Sequence, residues 1–481
     1  MFKNCRAFLE SCLNEHQSCA EPLVDGESAS ICPTRLIDVG SDSIPAHLVK
    51  LKSLEQVNRN SKDARFPGYV TLSYCWGSNP DERHLLREES ESSFMRELPS
   101  LPKTIREAVT VCRRMGVKYL WVDALCIQQG HSSTSSDWKR ESARVGSYYA
   151  NALFTIAATW ASASNEGSLP RKASNVYSGW NELSSMILSS ALTKRGWTLQ
   201  ELSLSPRILW FKYDAVLWTC SAGIRTYLVR ENSLPLFLTF RSDMRSKWSE
   251  ILEQYTMSSL SFAEDRLPAL SGLCKYVNEG GKDTYLAGIW QSSLSDGLAW
   301  RRLSERLPEY SSSWPNIPSW SPLSCKEKIT FNPVCATGSG CAVCGPGKLW
   351  LEDARVILSY EDPHGRIESA VLRVSVSIYD VTVRLHTQSF SLLQFGGDVS
   401  LEGRLSLDTS LKTSYTETGR VNAILIGHAV GFQKLFFLLL DAVDEGDTYR
   451  RLGIFESRFK TSPQLLEMLK EGRNKQRVKM V

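Results

Sequence analysis

Between residues 69 and 158 the chain alternates short apolar runs with amphipathic segments, and this alternation restricts the fold more than any other feature. Tyr69-Val-Thr-Leu-Ser-Tyr74 is rich in β-branched and aromatic residues and stops at Gly77 before a Ser-Asn-Pro turn, so it is predicted to be a strand. Leu101 to Met115 places Leu101, Ile105, Ala108, Val109, Cys112 and Met115 on one helical face. Pro102 suits the first turn of that helix, Arg113 and Arg114 its last, and Gly116 the stop. Tyr119 to Ile127 is short, apolar and flanked by breakers, which predicts a buried strand. Asp137 is expected to cap a helix whose inner face is Trp138, Val145, Tyr148, Tyr149 and Ala152, and Leu153 to Ala158 reads as a further buried strand. Near-continuous apolar strands separated by helices imply an α/β domain with a mainly parallel sheet covered on both faces.

The chain has 481 residues, which at ~150 residues per domain suggests two or three. The spacing of breakers and composition shifts divides it into a helical lead-in (1–57), the α/β domain (58–225) and an α+β region (226–481). In the last, a helical segment from Asp243 to Met257 precedes many short strands such as Val371 to Val383, while Ser162 to Ser190 is read as a long loop. Lys and Arg number 56 against 52 Asp and Glu, a formal charge of +4 that leaves no footprint for nucleic acid. No apolar stretch reaches the ~18 residues of a spanning helix; Leu435 to Leu440 is followed by Asp441. The first residues lack the apolar block of a signal peptide, and thirteen cysteines, an odd number, suit free thiols in a reducing compartment. Together these point to a cytoplasmic protein.

Five ordered blocks then carry a family likeness: Tyr69 to Gly77 (YVTLSYCWG), Leu101 to Ile105 (LPKTI), Tyr119 to Gln128 (YLWVDALCIQ), Tyr149 to Ala152 (YANA) and Arg195 to Glu201 (RGWTLQE). Together they resemble the heterokaryon-incompatibility (HET) domain of filamentous fungi. The lead-in Cys12-x-x-x-His16-x-x-Cys19 with Pro33 to Asp38, and the later blocks Asp265 to Ser271, Tyr285 to Trp290, Pro318 to Ser321 and Tyr449 to Phe455, resemble the flanks of such proteins. Three positions depart from the pattern. Gln129 stands near where an acidic residue is usual, Val145 near where Met is frequent, and Pro322 where another Trp is common. The resemblance implies a part in growth arrest and cell death when genetically different hyphae fuse, with a protein partner or self-association, and a fold similar to Toll/interleukin-receptor (TIR) or flavodoxin-like domains. Some TIR domains cleave NAD, which implies NAD as a substrate and no required cofactor; a non-catalytic interaction module is the alternative.

NAD-cleaving TIR domains place a Trp four residues before a catalytic Glu, and Trp197 and Glu201 have that spacing here. On a helix the two share one face. Splitting the nicotinamide–ribose bond passes through an oxocarbenium-like state, because the leaving pyridinium already carries its positive charge, so one carboxylate near the anomeric carbon can supply the main stabilisation. Without the resemblance, Glu201 is an ordinary helix-surface carboxylate, paired with Arg195 or Arg207. Ligands of open α/β sheets bind beyond the carboxyl ends of strands. That rule makes Ser73, Trp76, Gly77 and Asp123 candidate ligand-binding residues, and Arg195 joins them from the RGWTLQE block as a partner for Asp123. Trp76 can equally be core filling at a strand end. Asp123, inside an apolar strand, needs a partner such as Arg195 or a set of amides. Cys126, with only His131 near it in sequence, reads as a buried thiol rather than a nucleophile.

No complete metal site is legible. Cys12, His16 and Cys19, spaced four and three apart, are zinc candidates with Cys5 or Cys32 as a fourth ligand, but two Cys and a His on one helical face also make an ordinary buried seam. Cys341-Ala-Val-Cys344, with Cys325 and Cys335 upstream, lies among glycines and reads as a tight loop.

Overall fold

A computed structural model describes residues 1–20, 30–61, 63–78, 85–129, 136–171, 187, 189–213, 216–220, 223–226, 244–278, 281–304, 316–332, 350–359, 362, 364–387, 390–395, 399–408, 418–429, 434–457, 465, 469 and 475–481. Most of the loop expected at Ser162 to Ser190, and the Cys341 to Cys344 motif, lie outside the described residues. The chain forms two compact units, one of residues 1–245 with 258–280 and one of residues 246–257 with 281–481.

The first unit is α/β, built on eight strands: β1 Arg35–Asp38, β2 His47–Lys50, β3 Tyr69–Ser73, β4 Tyr119–Trp121, β5 Thr155–Ala158, β6 Arg207–Phe211, β7 Val216–Cys220 and β8 Gly223–Thr226. Their order is β2-β1-β4-β3-β5-β6-β7-β8. The four central strands run parallel, while β1, β2, β7 and β8 add antiparallel edges. The parallel core β4-β3-β5-β6 follows the doubly wound order 2-1-3-4 found in flavodoxin-like sheets. Connection β3 to β4 runs one way and β4 to β5 returns past β3, so the direction reverses between β3 and β5. Side chains of β3, β5 and β6 are buried throughout, as expected of strands covered on both faces.

Helices α1 Phe2–Glu15 and α2 Gln17–Ala20 open the chain, and α3 Leu54–Asn60 and α4 Glu91–Phe94 follow. Helix α5, Lys103–Met115, agrees with its sequence signals: Pro102 precedes its first turn, seven side chains are buried, and Gly116 ends it at φ 82°. That left-handed conformation is the reason glycine suits the position. The run Tyr119 to Ile127 is only in part a strand. It leaves the sheet after Trp121, and Asp123–Cys126 forms the helical turn α6, because Asp123 accepts the Ala124 amide at 2.7 Å and turns the backbone. The single helix expected after Asp137 is two, α7 Ser136–Ser142 and α8 Val145–Ala150. Asp137 lies inside the first turn of α7 rather than capping it, and its carboxylate is drawn to Arg35 and the Gln128 amide (2.8 Å). Helices α9 Gly196–Leu204 and α10 Pro268–Val277 complete the unit. Gly146 of α8 and Gly272 of α10 meet backbone to backbone, where a Cβ on Gly272 would sit 2.8 Å from the Gly146 Cα.

The second unit is sheet-rich. Strands β9 Tyr285–Leu286 and β10 Ile289–Trp290 pair, as do β11 Trp300–Arg302 and β12 Ile329–Phe331. The helical segment expected from Asp243 spans Trp248–Thr256, where the Trp248 indole donates to the Gly288 carbonyl. The larger sheet contains β13 Trp350–Leu358, β14 Ile367–Thr387, β15 Phe390–Gln394, β16 Ser400–Leu407, β17 Thr418–Ala429, β18 Lys434–Ala442, β19 Thr448–Ser457 and β20 Lys475–Met480. Its strands are not uniformly short: the Val371 to Val383 segment is part of the 21-residue β14. Buried positions are even-numbered at Leu372, Val374 and Val376 and odd-numbered at Val381 and Val383. At that change of phase β14 passes from β20 to β17, and the pairing β14–β17 closes β14, β15, β16, β19, β18 and β17 into a ring.

Candidate functional site

Helix α9 carries the central carboxylate. All of its residues except Trp197 are buried, so Gly196-Trp-Thr-Leu-Gln-Glu-Leu-Ser-Leu204 is enclosed on nearly every side. Tertiary packing therefore removes the surface reading of Glu201, which is 5% exposed. Its Oε2 accepts the Ser73 hydroxyl at 2.5 Å, from the last residue of β3. The Tyr149 hydroxyl, which donates to the Leu72 carbonyl at 3.1 Å, lies beside the same carboxyl group. Burial raises the Glu201 pKa, against the Arg195 charge and the Ser73 and Tyr149 hydroxyls, which favour the ionised form.

Glu201 borders a cavity of about 590 Å³. The walls include Trp76, Gly77, Trp121, Asp123, Arg195 and Trp197, so all the sequence-named ligand residues except Ser73 meet here. Ser73 is 1% exposed and acts beneath the cavity, holding Glu201. Asp123 is engaged by the ring it stands beside: the Trp76 indole N–H reaches both its oxygens, at 3.2 and 3.0 Å. Burial pushes its pKa up to about 7, with the Glu201 charge adding to the rise and Arg195 opposing it. Arg195 is not bonded to either carboxylate; its guanidinium donates to the Tyr74 carbonyl. Its charge still favours ionisation of both carboxyl groups.

Trp197 and Glu201 lie one helical turn apart, as the spacing required. The Trp197 indole donates to Asp265 at 3.1 Å, and its ring meets Trp138 edge-on with centroids 6.3 Å apart. Trp121 contributes a further indole to the wall, and its buried N–H has no hydrogen-bond partner. Such a donor costs free energy until an acceptor arrives.

Several lining residues escaped the sequence reading. Ser259, Leu260, Ser261, Phe262 and Asp265 come from a segment that follows α9 only after a long stretch of intervening sequence. Reciprocal backbone bonds bring it there: Gly196 donates to the Ser259 carbonyl at 2.8 Å, and Ser259 to the Lys194 carbonyl at 2.7 Å. Gln129 and Val145, two of the positions that depart from the family pattern, also line the cavity. Cys126 is fully buried, and burial pushes its thiol up to about 12, which suits an inert side chain. Cys12, His16 and Cys19 gather at a separate place in the unit, beside Cys220 at the end of β7.

The sequence model of the family Heterokaryon incompatibility protein (HET) matches residues 69–201. Residues 69–201 are a HET domain. The match begins at β3 and ends on Glu201 itself, so the family segment spans the central parallel strands β3, β4 and β5 and the helix of the candidate site. No curated protein and no solved structure matches the chain significantly. Among the described residues no helix is long and apolar enough to cross a membrane.

Proposed function

We propose that this HET-domain protein acts in incompatibility-type cell death by cleaving the nicotinamide–ribose bond of NAD, with Glu201 as the catalytic carboxylate. One observation carries the reading: Glu201, anchored by Ser73 at the carboxyl end of β3, borders a cavity walled by Trp197, Trp76 and Trp121. The cavity lies at the strand ends where the parallel order reverses, the usual ligand crevice of open α/β sheets. Its volume falls within the about 300–1,000 Å³ of small-molecule sites.

In this reaction the C–N bond breaks with its electron pair leaving on the nicotinamide nitrogen. Ionised Glu201 faces the positive charge that develops at the anomeric carbon. Water then adds to that carbon and releases a proton, giving ADP-ribose and nicotinamide. Trp76, its plane held by Asp123, and Trp197 supply stacking faces, and Arg195 supplies positive charge for the pyrophosphate. The cost of burying Glu201 is offset in part by Arg195 and by the two hydroxyls. An effector of this kind must stay off until triggered, and self-association is the switch we propose.

A second reading, a binding module without catalysis, is favoured by Phe262, which is 53% exposed and borders the same cavity. The two separate in one experiment. The purified full chain, tested over a range of concentrations, should release nicotinamide from NAD, and Glu201→Gln should lower the rate by about 10²–10³. Expression in yeast should deplete NAD and arrest growth with the wild type alone. Growth arrest with unchanged NAD would leave the binding module as the explanation.

A further inference from the structure

Cys12, His16, Cys19 and Cys220 bring their ligand atoms to within 4.8 Å of one another. Cys12 lies in the last turn of α1, and His16 follows its end, where an extended backbone (φ −98°, ψ 97°) redirects the chain. Helix α2 then returns Cys19 to the same centre. Cys220 arrives from the far end of the unit's sequence as the last residue of β7. Neither Cys5 nor Cys32, the fourth ligands suggested by sequence proximity, belongs to the group. Cys32 instead donates to the Pro33 carbonyl.

We propose that these four side chains bind one zinc ion, which pins the N-terminal helices to the end of β7. The spacing fits. With Zn–S of about 2.3 Å and Zn–N of about 2.0–2.1 Å, a tetrahedral angle puts sulfur and nitrogen about 3.6 Å apart. The His16 Nδ1 lies 3.5 Å from the Cys220 sulfur and 3.9 Å from the Cys19 sulfur. A seam of buried thiols has no need to aim a ring nitrogen at two sulfurs. Three sulfurs and one nitrogen suit zinc among the common divalent metals, and a complete protein ligand set marks a structural site. Burial of all three cysteines agrees with a closed site.

The surroundings supply the charge such a site requires. Three thiolates and a neutral imidazole around a divalent ion leave one net negative charge. Arg207, 6% exposed, donates its Nε–H to the Cys12 sulfur at 3.0 Å. It pairs across the β6–β7 ladder with Cys220, and its remaining nitrogens reach the Leu153 and Cys19 carbonyls at 3.2 and 2.8 Å. A buried guanidinium held against a sulfur in this way is an outer-shell partner of a metal thiolate.

The full chain, purified without chelator, should carry about one zinc per molecule by plasma mass spectrometry. Cobalt added to the reduced, metal-stripped chain should give the thiolate charge-transfer and d–d absorption of a tetrahedral site. Cys220→Ser should lose both signals. Cys112→Ser removes a fully buried thiol outside the group and should keep them. If Cys220→Ser does not fold, the wild-type measurements decide. A zinc-free wild type with no cobalt spectrum would overturn the site and leave a seam of reduced thiols.

Discussion

Replacing Asp123 with asparagine should remove a pH dependence that the fold imposes on this protein. In the unfolded chain the carboxyl titrates near about 3.9, and burial in the fold pushes it up to about 7. Between those two values the folded chain holds a proton that the unfolded chain has released. Stability therefore falls as pH rises across this window and levels off above it. The whole interval corresponds to about 4 kcal/mol, and the part between pH 5 and 8 to about 2.5 kcal/mol. Asp123 borders an open cavity, and solvent there trims the second figure to roughly 1–2.5 kcal/mol. The substituted side chain would stay neutral throughout while its amide oxygen still accepts the Trp76 indole. Urea midpoints of the full chain measured from pH 5 to 8 should thus diverge, Asp123→Asn gaining on the wild type as pH rises. A difference that stays flat across that range would refute the burial of an ionisable Asp123 as described.

Gly272→Ala should destabilise the first unit by about 1–3 kcal/mol in urea, since its Cβ would meet Gln200 Oε1 at 2.6 Å and the Gly146 Cα at 2.8 Å; an unchanged midpoint would deny the close packing of α8, α9 and α10. Arg35→Ala removes the buried cation shared by the carboxylates of Glu91 and Asp137, which keep Lys50 and Arg140 as partners, and about 1.5–3 kcal/mol should be lost in the same assay. Ser73→Ala removes a bond that favours ionised Glu201. The acid limb of nicotinamide release should then move to higher pH, whereas a merely structural Ser73 would lower the rate without moving the profile.

The local signals that succeeded were those whose physics is local. The start and stop of α5 follow from Pro102 and Gly116, whose backbone limits act whatever surrounds them. The strands at Tyr69 and Thr155 were legible because side chains buried on both sheet faces must be apolar. The run through Asp123 misled for the converse reason: apolar continuity does not separate a buried strand from a buried helical turn. In the C-terminal region turn-like residues suggested many short strands. A change of facing inside β14 requires no break in the chain, and periodicity alone does not show it.

From composition, period and ordered motifs alone came the α/β class, the family likeness and the pairing of Trp197 with Glu201 on one helical face. Desolvation is not written in such patterns, because it is the work of neighbours drawn from elsewhere in the chain. Only the folded structure encloses Glu201, sets Asp123 under Trp76 and lifts its pKa, and closes the cavity with residues 259–265. The same holds for Cys220, which stands 204 residues from His16 in sequence and 3.5 Å from it in space. The sheet, by placing β7 against the N-terminal helices, decides that these two side chains meet.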